Sequence, residues 1–197
     1  TITYSECPSC KSTAIAPVLY AEDFTVSQEK FAIWHCNNCT LRFTQDVPVA
    51  DEIGKYYQSS AYISHSDTKQ GLINRLYHFV RNYTLQSKKK LINKSAPPAH
   101  GRLLALGEGT GAFANTMQHA GWHVTSLEPD ETARQNAFAN YNLQLQSPVN
   151  LDEFEKEIFD VITLWHVLEH VHDLHKYLET FYKILKQDGI LIIAVPN

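Results

Sequence analysis

From residue 100 onward the chain alternates short apolar runs with amphipathic stretches. Runs at 103–106, 124–127, 161–164 and 190–195, with a shorter one at 143–145, have the length and bounding turns of buried strands. Between them, 112–120 (closed by Gly121), 130–140 and 174–186 carry apolar residues at helical spacing. Strands that alternate with helices predict an α/β fold with a parallel sheet covered on both faces. Upstream, Leu72, Leu76, Phe79, Val80, Tyr83, Leu91 and Ile92 recur near helical spacing and predict one amphipathic helix stopped by Pro97 and Pro98. The chain therefore divides into a small module over 1–46, an aromatic-rich linker and helix over 47–98, and an α/β core over 99–197.

The small module carries all four cysteines, as Cys7-Pro-Ser-Cys10 and Cys36-Asn-Asn-Cys39. Two C-x-x-C knuckles joined by a short hairpin can set four thiolates tetrahedrally around Zn2+, and a site filled by four Cys leaves no position for water, which predicts a structural zinc ribbon. A disulfide framework fits poorly with the absence of a secretion signal at TITYSECPSC, and a thioredoxin-like site would need only one such pair. His35 is expected to be a bystander.

Charge changes the picture in one segment. The whole chain has a formal net charge of -4, yet residues 69–102 hold eight basic side chains and no acidic one. A solvated helix face accounts for this more simply than a nucleic-acid surface, and the overall negative balance argues against nucleic acid as partner. No apolar run is long enough for a membrane helix, so the expectation is a cytoplasmic protein without a membrane partner.

The chemistry gathers at the mouth of the first core strand, where Leu103–Gly111 reads LLALGEGTG. The spacing G-x-G-x-G departs from the G-x-G-x-x-G of dinucleotide sites. Gly107, Gly109 and Gly111 allow a tight turn and close approach of a ligand to the backbone. In an open parallel sheet that turn lies at the carboxyl end, where ligands bind. Glu128, ending the second strand, can accept hydrogen bonds from both hydroxyls of a ribose. The pair suits an adenosine-containing cofactor, either a dinucleotide or S-adenosylmethionine.

LLALGEGTGAFANTMQHAGWHVTSLEPD followed by FDVITLWHVLEHVHDLHKYLETFYKILKQDGILIIAVPN resembles the first five strands of a class I S-adenosylmethionine-dependent methyltransferase. The resemblance implies a Rossmann-like, doubly wound parallel sheet of order 3-2-1-4-5 with S-adenosylmethionine as cofactor. It places Gly107, Glu108, Gly109, Gly111, Glu128, Pro129 and Trp165 beside the cofactor, and His166 and His170 in the loop that faces the reacting methyl. The acid that the family carries two positions before the first glycine is Ala105 here, and Glu108 is the candidate replacement. The order CPSC, CNNC, YYQSSAY is similar to that of sugar C-methyltransferases acting on keto-deoxysugar nucleotides, which implies that Tyr57 and Tyr62 reach the cofactor or substrate; packing is the alternative for these tyrosines.

His166-Val-Leu-Glu169-His170 also matches H-x-x-E-H, a zinc protease signature, but that motif belongs inside a helix and here it follows a buried strand. An imidazole at His170 can take a substrate proton near neutral pH, while a loop histidine bonded to backbone is the bland alternative. His172 and His175 are expected at the surface. The expected activity is methyl transfer to a small-molecule acceptor; a ribosomal RNA methyltransferase with a zinc ribbon and a non-catalytic cofactor-binding protein are the alternatives. In the resembling family further strands follow AVPN, so the sequence is expected to be a fragment whose fifth core strand offers an open edge for self-association and aggregation.

Overall fold

The computed structural model describes residues 1–57, 72–96 and 101–196. The chain divides into two compact units, Thr1–Ile63 with His172–His175, and Ser64–Val171 with Lys176–Asn197.

In the first unit β1 (Ile15–Glu22), β2 (Lys30–Cys36) and β3 (Arg42–Thr44) form an antiparallel sheet of order β1-β2-β3, followed by α1 (Ala50–Ile53) and a 3-10 turn at Gly54–Tyr57. The β1–β2 turn is tied by Asp23, whose carboxylate accepts the N–H groups of Thr25, Val26 and Ser27. The Thr25 hydroxyl, which also donates to this carboxylate, and these N–H groups hold its pKa well below the usual carboxylate range. His172 and His175, expected at the surface, are half-buried and bonded to backbone: His172 Nε2 donates to Pro48 O at 2.8 Å and His175 Nε2 to Ser9 O at 2.6 Å.

The second unit holds α2 (Leu72–Ser95), β4 (Arg102–Leu106), α3 (Ala112–His119), β5 (His123–Leu127), α4 (Glu131–Tyr141), β6 (Phe159–Trp165), α5 (Leu174–Ile184) and β7 (Leu185–Ala194). The four strands pair parallel in the order β5-β4-β6-β7. Alternation along each strand sorts its side chains into two cores. Leu104, Leu106, Ile162 and Leu164 pack with Phe181 and Ile184 of α5, and Leu103, Ala105 and Val161 pack with Ile92 of α2 and with Phe113 and Met117 of α3. Helices thus cover both faces, as a doubly wound sheet requires.

The run 143–145 does not become a strand; Leu143 and Leu145 are buried against Ala114 and Ala137, and pairing shrinks to a single bridge between Leu127 and Gln146 before Pro148 opens a 3-10 turn. The expected 3-2-1-4-5 order is therefore present as its 2-1-4-5 part, with the outer strand reduced to that bridge. The last helix ends at Ile184 and β7 begins at once, because Leu185 already pairs with Phe159.

The extent of α2 matches the expected helix, but its buried face does not: Phe79 and Tyr83 are each 70% exposed, and Val80 and Leu91 are exposed as well. The buried stripe is Leu85, Lys88, Ile92 and Ala96, spaced for one helix face. Among the described residues no helix is long and apolar enough to cross a membrane.

Candidate functional site

In the first unit the two knuckles have matching geometry. Lys11 N donates to Cys7 O at 3.0 Å and Thr40 N to Cys36 O at 2.9 Å, and Lys11 and Thr40 both adopt positive φ (60° and 65°), so each C-x-x-C turns its two thiols to the same side. All four sulfurs lie within 4.8 Å of one another, with Cys7–Cys39 at 3.6 Å and Cys10–Cys36 at 3.5 Å. A tetrahedral ZnS4 centre with Zn–S of about 2.3 Å needs sulfurs about 3.8 Å apart, so the cluster is close to the right size. The Asn38 side-chain amide, reaching Cys10 Sγ at 3.5 Å, leads the bonds that hold that thiol near a pKa of about 6. The four cysteines are positioned to bind a metal ion.

In the second unit the glycine turn follows β4. All three glycines adopt positive φ (67°, 54° and 78° for Gly107, Gly109 and Gly111), and their surroundings differ. A Cβ on Gly107 would lie 2.3 Å from Val167 Cγ2 in the loop after β6, and one on Gly111 2.8 Å from Ala137 Cβ in α4. Those two glycines let neighbouring elements close up. Nothing lies within 4 Å of the Cβ position at Gly109, so its bare backbone faces open space.

Glu128, only 5% exposed, directly follows β5 and clasps this turn. Its Oε2 accepts Gly109 N at 2.6 Å and its Oε1 accepts Asp130 N at 3.0 Å. Each carboxylate oxygen retains a second acceptor position for a ligand hydroxyl. Pro129 is exposed beside it, and its carbonyl, like that of Glu128, accepts a bond from Arg134.

Glu108 Oε2 accepts Ala114 N at 2.9 Å at the start of α3. Burial pushes its carboxyl up to about 7, opposed by the Ala114 N–H and the Lys88 charge and reinforced by Glu128. Lys88, reaching in from α2, sets its ammonium 4.4 Å above the Trp165 ring and 5.8 Å from that of Phe113. Burial lowers its pKa, opposed by Glu108. Arg81, one stripe along α2, donates to Thr110 Oγ1 at 2.7 Å.

The raised Glu108 pKa has a definite sign in stability. Between the ordinary carboxylate value near ~4.3 and about 7, the native state keeps a proton that the unfolded chain releases, so this group's contribution falls as pH rises through that window. Glu108→Gln removes the effect. The melting temperature of the variant relative to the parent is expected to rise from pH 5 to pH 8; a pH-independent offset would contradict the assignment.

The loop after β6 brings His166 and His170 to the same end of the sheet. His166 takes a left-handed backbone (φ 58°), donates its N–H to Ala194 O at 2.8 Å, and points an exposed ring with Nδ1 3.7 Å from Glu169 Oε1. His170 closes a 3-10 turn, N–H to Val167 O at 2.9 Å, and its side chain is exposed. Trp165 and Thr163 each bury a polar atom, Nε1 and Oγ1, that has no hydrogen-bond partner among the described residues. Tyr62 lies outside the described residues, as does the side chain of Tyr57. A depression of about 520 Å3 lined by Arg102, Gln118, Trp122 and His123 lies at the amino ends of β4 and β5, away from all these groups.

The structure therefore collects Gly107, Glu108, Gly109, Gly111, Glu128, Pro129, Trp165, His166 and His170 at the carboxyl end of the parallel sheet. Sequence reasoning missed Lys88, which looks like one more solvated lysine in a basic run. Its one signal is its place on the stripe shared with Leu85 and Ile92.

A family model described as a methyltransferase domain matches residues 76–197, more than half of the chain. The ubiquinone biosynthesis O-methyltransferase of Glaesserella parasuis is 31% identical over 107 residues, covering 49% of this chain and 45% of that protein. The protein of the same name from Rickettsia bellii is 25% identical over 153 residues, covering 75% of this chain and 62% of its own. The chain spans about half the length of the curated relatives it matches. Among solved structures, a Methanococcus maripaludis protein assigned to the S-adenosyl-L-methionine-dependent methyltransferases aligns with a TM-score of 0.50 at 18% identity, over 66% of this chain and 67% of that one, a likeness of fold.

Proposed function

The chain belongs to the methyltransferase-domain family, and on that premise we propose that it transfers the methyl group of S-adenosylmethionine to a small-molecule acceptor. The observation that carries the reading is the glycine turn clasped by Glu128, with Gly109 bare toward open space and Trp165 Nε1 buried without a partner among the described residues. These features fit an adenosine-bearing ligand. Glu128 would bind the ribose hydroxyls, and the turn and Pro129 would pass along the cofactor. S-adenosylmethionine supplies an electrophilic methyl on a sulfonium.

The protein's task is then to hold the acceptor in line and to manage its proton. His166 and His170 stand at the right end of the sheet for that, each with an exposed ring. In the first unit the four thiolates would hold a structural zinc. Relatives named for ubiquinone biosynthesis support a hydroxyl acceptor, whereas the CPSC and CNNC module supports a keto-sugar nucleotide, where His170 would remove a carbon-bound proton.

Incubation of the protein with methyl-labelled S-adenosylmethionine, a small-molecule extract and total RNA separates the readings. Label is expected in the small-molecule fraction. Label in RNA would replace the acceptor class, and cofactor binding without turnover would point to a non-catalytic protein.

A further inference from the structure

Residues His172–His175 cluster with the first unit, whereas the chain up to Val171 and from Lys176 belongs to the second. The anchors of this short segment come from separate parts of the cysteine module. The ring of His175 donates to Ser9 O at 2.6 Å, the ring of His172 donates to Pro48 O at 2.8 Å, and the carbonyl of His172 accepts the Tyr4 hydroxyl at 3.3 Å. Each anchor is itself fixed. Ser9 lies between Cys7 and Cys10 in the first knuckle, whose turn is closed by Lys11 N on Cys7 O. Pro48 is buried, and Tyr4 is locked by a reciprocal pair with Gln45, Tyr4 N to Oε1 and Nε2 to Tyr4 O, each at 2.8 Å.

The stretch that carries His166 and His170 ends where this tether begins. His170 and His172 are two residues apart, so their Cα atoms cannot separate by more than about 7 Å. The turn before the tether has little order of its own. It is closed by His170 N on Val167 O at 2.9 Å and by Val171 N on Leu168 O at 3.4 Å, and no residue of Leu168–His170 is fully buried. A turn of that kind opens locally unless the chain flanking it is held. Resting on the reading of His166 and His170 given above, we propose that His172 and His175 are positioning residues, which tie the proton-handling turn to the cysteine module. The module then has a task in the reaction besides its own folding. A metal held by Cys7, Cys10, Cys36 and Cys39 would fix the knuckle backbone that His175 bonds, and loss of the metal would release the turn.

Hydrogen exchange over residues 166–171 tests the tether. In the double variant His172→Leu/His175→Leu, which keeps bulk and removes both donors, exchange at His170 and Val171 is expected to rise roughly tenfold or more while β2, β4 and β6 stay protected. Methyl transfer from labelled S-adenosylmethionine into the small-molecule extract should slow roughly 10- to 100-fold, as for a displaced reacting group, with the dissociation constant of S-adenosylhomocysteine within about twofold. His172→Leu/His175→Gln, which returns an amide donor at the second position, should recover much of both. Stripping the metal from the unaltered protein with a chelator should speed exchange at the same two amides as β1 and β2 lose protection. Unchanged exchange at His170 and Val171 in the double variant would overturn the tether. Loss of β2 protection in that variant would overturn it too, by making the bonds part of the module's own stability. Exchange decides the tether without turnover: if the unaltered protein transfers no methyl group, the functional reading falls, and faster exchange at the turn would still establish the two histidines as its anchor.

Discussion

Replacing Cys36 by serine is expected to unfold the β1–β3 unit while the parallel-sheet unit stays folded. Among the described residues of the first unit, only Cys7, Cys36, Gln45 and Pro48 are buried. A module with so small an apolar core cannot offset the entropy of ordering its backbone by burial alone, and small domains of this kind depend on a metal. Structural zinc contributes on the order of 10 kcal/mol to such folds, far more than a three-stranded sheet holds in reserve. The parent protein is expected to carry one zinc per chain by atomic absorption. In the variant the metal should be gone and amide protection lost across β1 and β2, with β4 and β6 still protected. A metal-free parent with full protection in β2 would refute a structural zinc.

The second large effect is expected at Glu128. Glu128→Ala removes the acceptor for Gly109 N and Asp130 N and, on the proposed reading, the partner of both ribose hydroxyls. Loss of two or more hydrogen bonds to a buried carboxylate, together with a loosened turn, should weaken S-adenosylhomocysteine by roughly 100-fold or more. Stability should suffer less, because the packing of Leu104, Ile162, Leu164 and Phe181 does not involve this side chain. Glu128→Gln, which keeps one oxygen acceptor, should fall between. A dissociation constant unchanged in Glu128→Ala would place the cofactor elsewhere.

The α/β core is largely legible in the sequence because its strands are buried on both faces. Leu103–Leu106 and Val161–Leu164 form continuous apolar runs that cannot be surface, and Gly121 and Asp130 mark helix ends that the structure keeps, Asp130 capping Ala133 N at 2.7 Å. The glycine turn is legible for a related reason, since three positive-φ positions in five residues have few other uses. Two kinds of feature escape. Periodicity counts Phe79 and Tyr83 as core because they are apolar, and Lys88 as surface because it is charged; the contacts that decide both lie in other elements. His172 and His175 read as solvated loop residues because their acceptors, Pro48 O and Ser9 O, are more than a hundred positions away. The short run 143–145 is misread because Leu143 and Leu145 are buried by packing on α3 and α4, and burial alone does not make a strand.

Assignment of the glycine turn and Glu128 to a cofactor is tested by calorimetric titration of the unaltered protein with S-adenosylmethionine and S-adenosylhomocysteine. Saturable binding of both is expected, with micromolar dissociation constants and a stoichiometry near one. Absence of binding to either ligand, in protein whose sheet amides are protected, would contradict the assignment of the glycine turn and Glu128 to a cofactor.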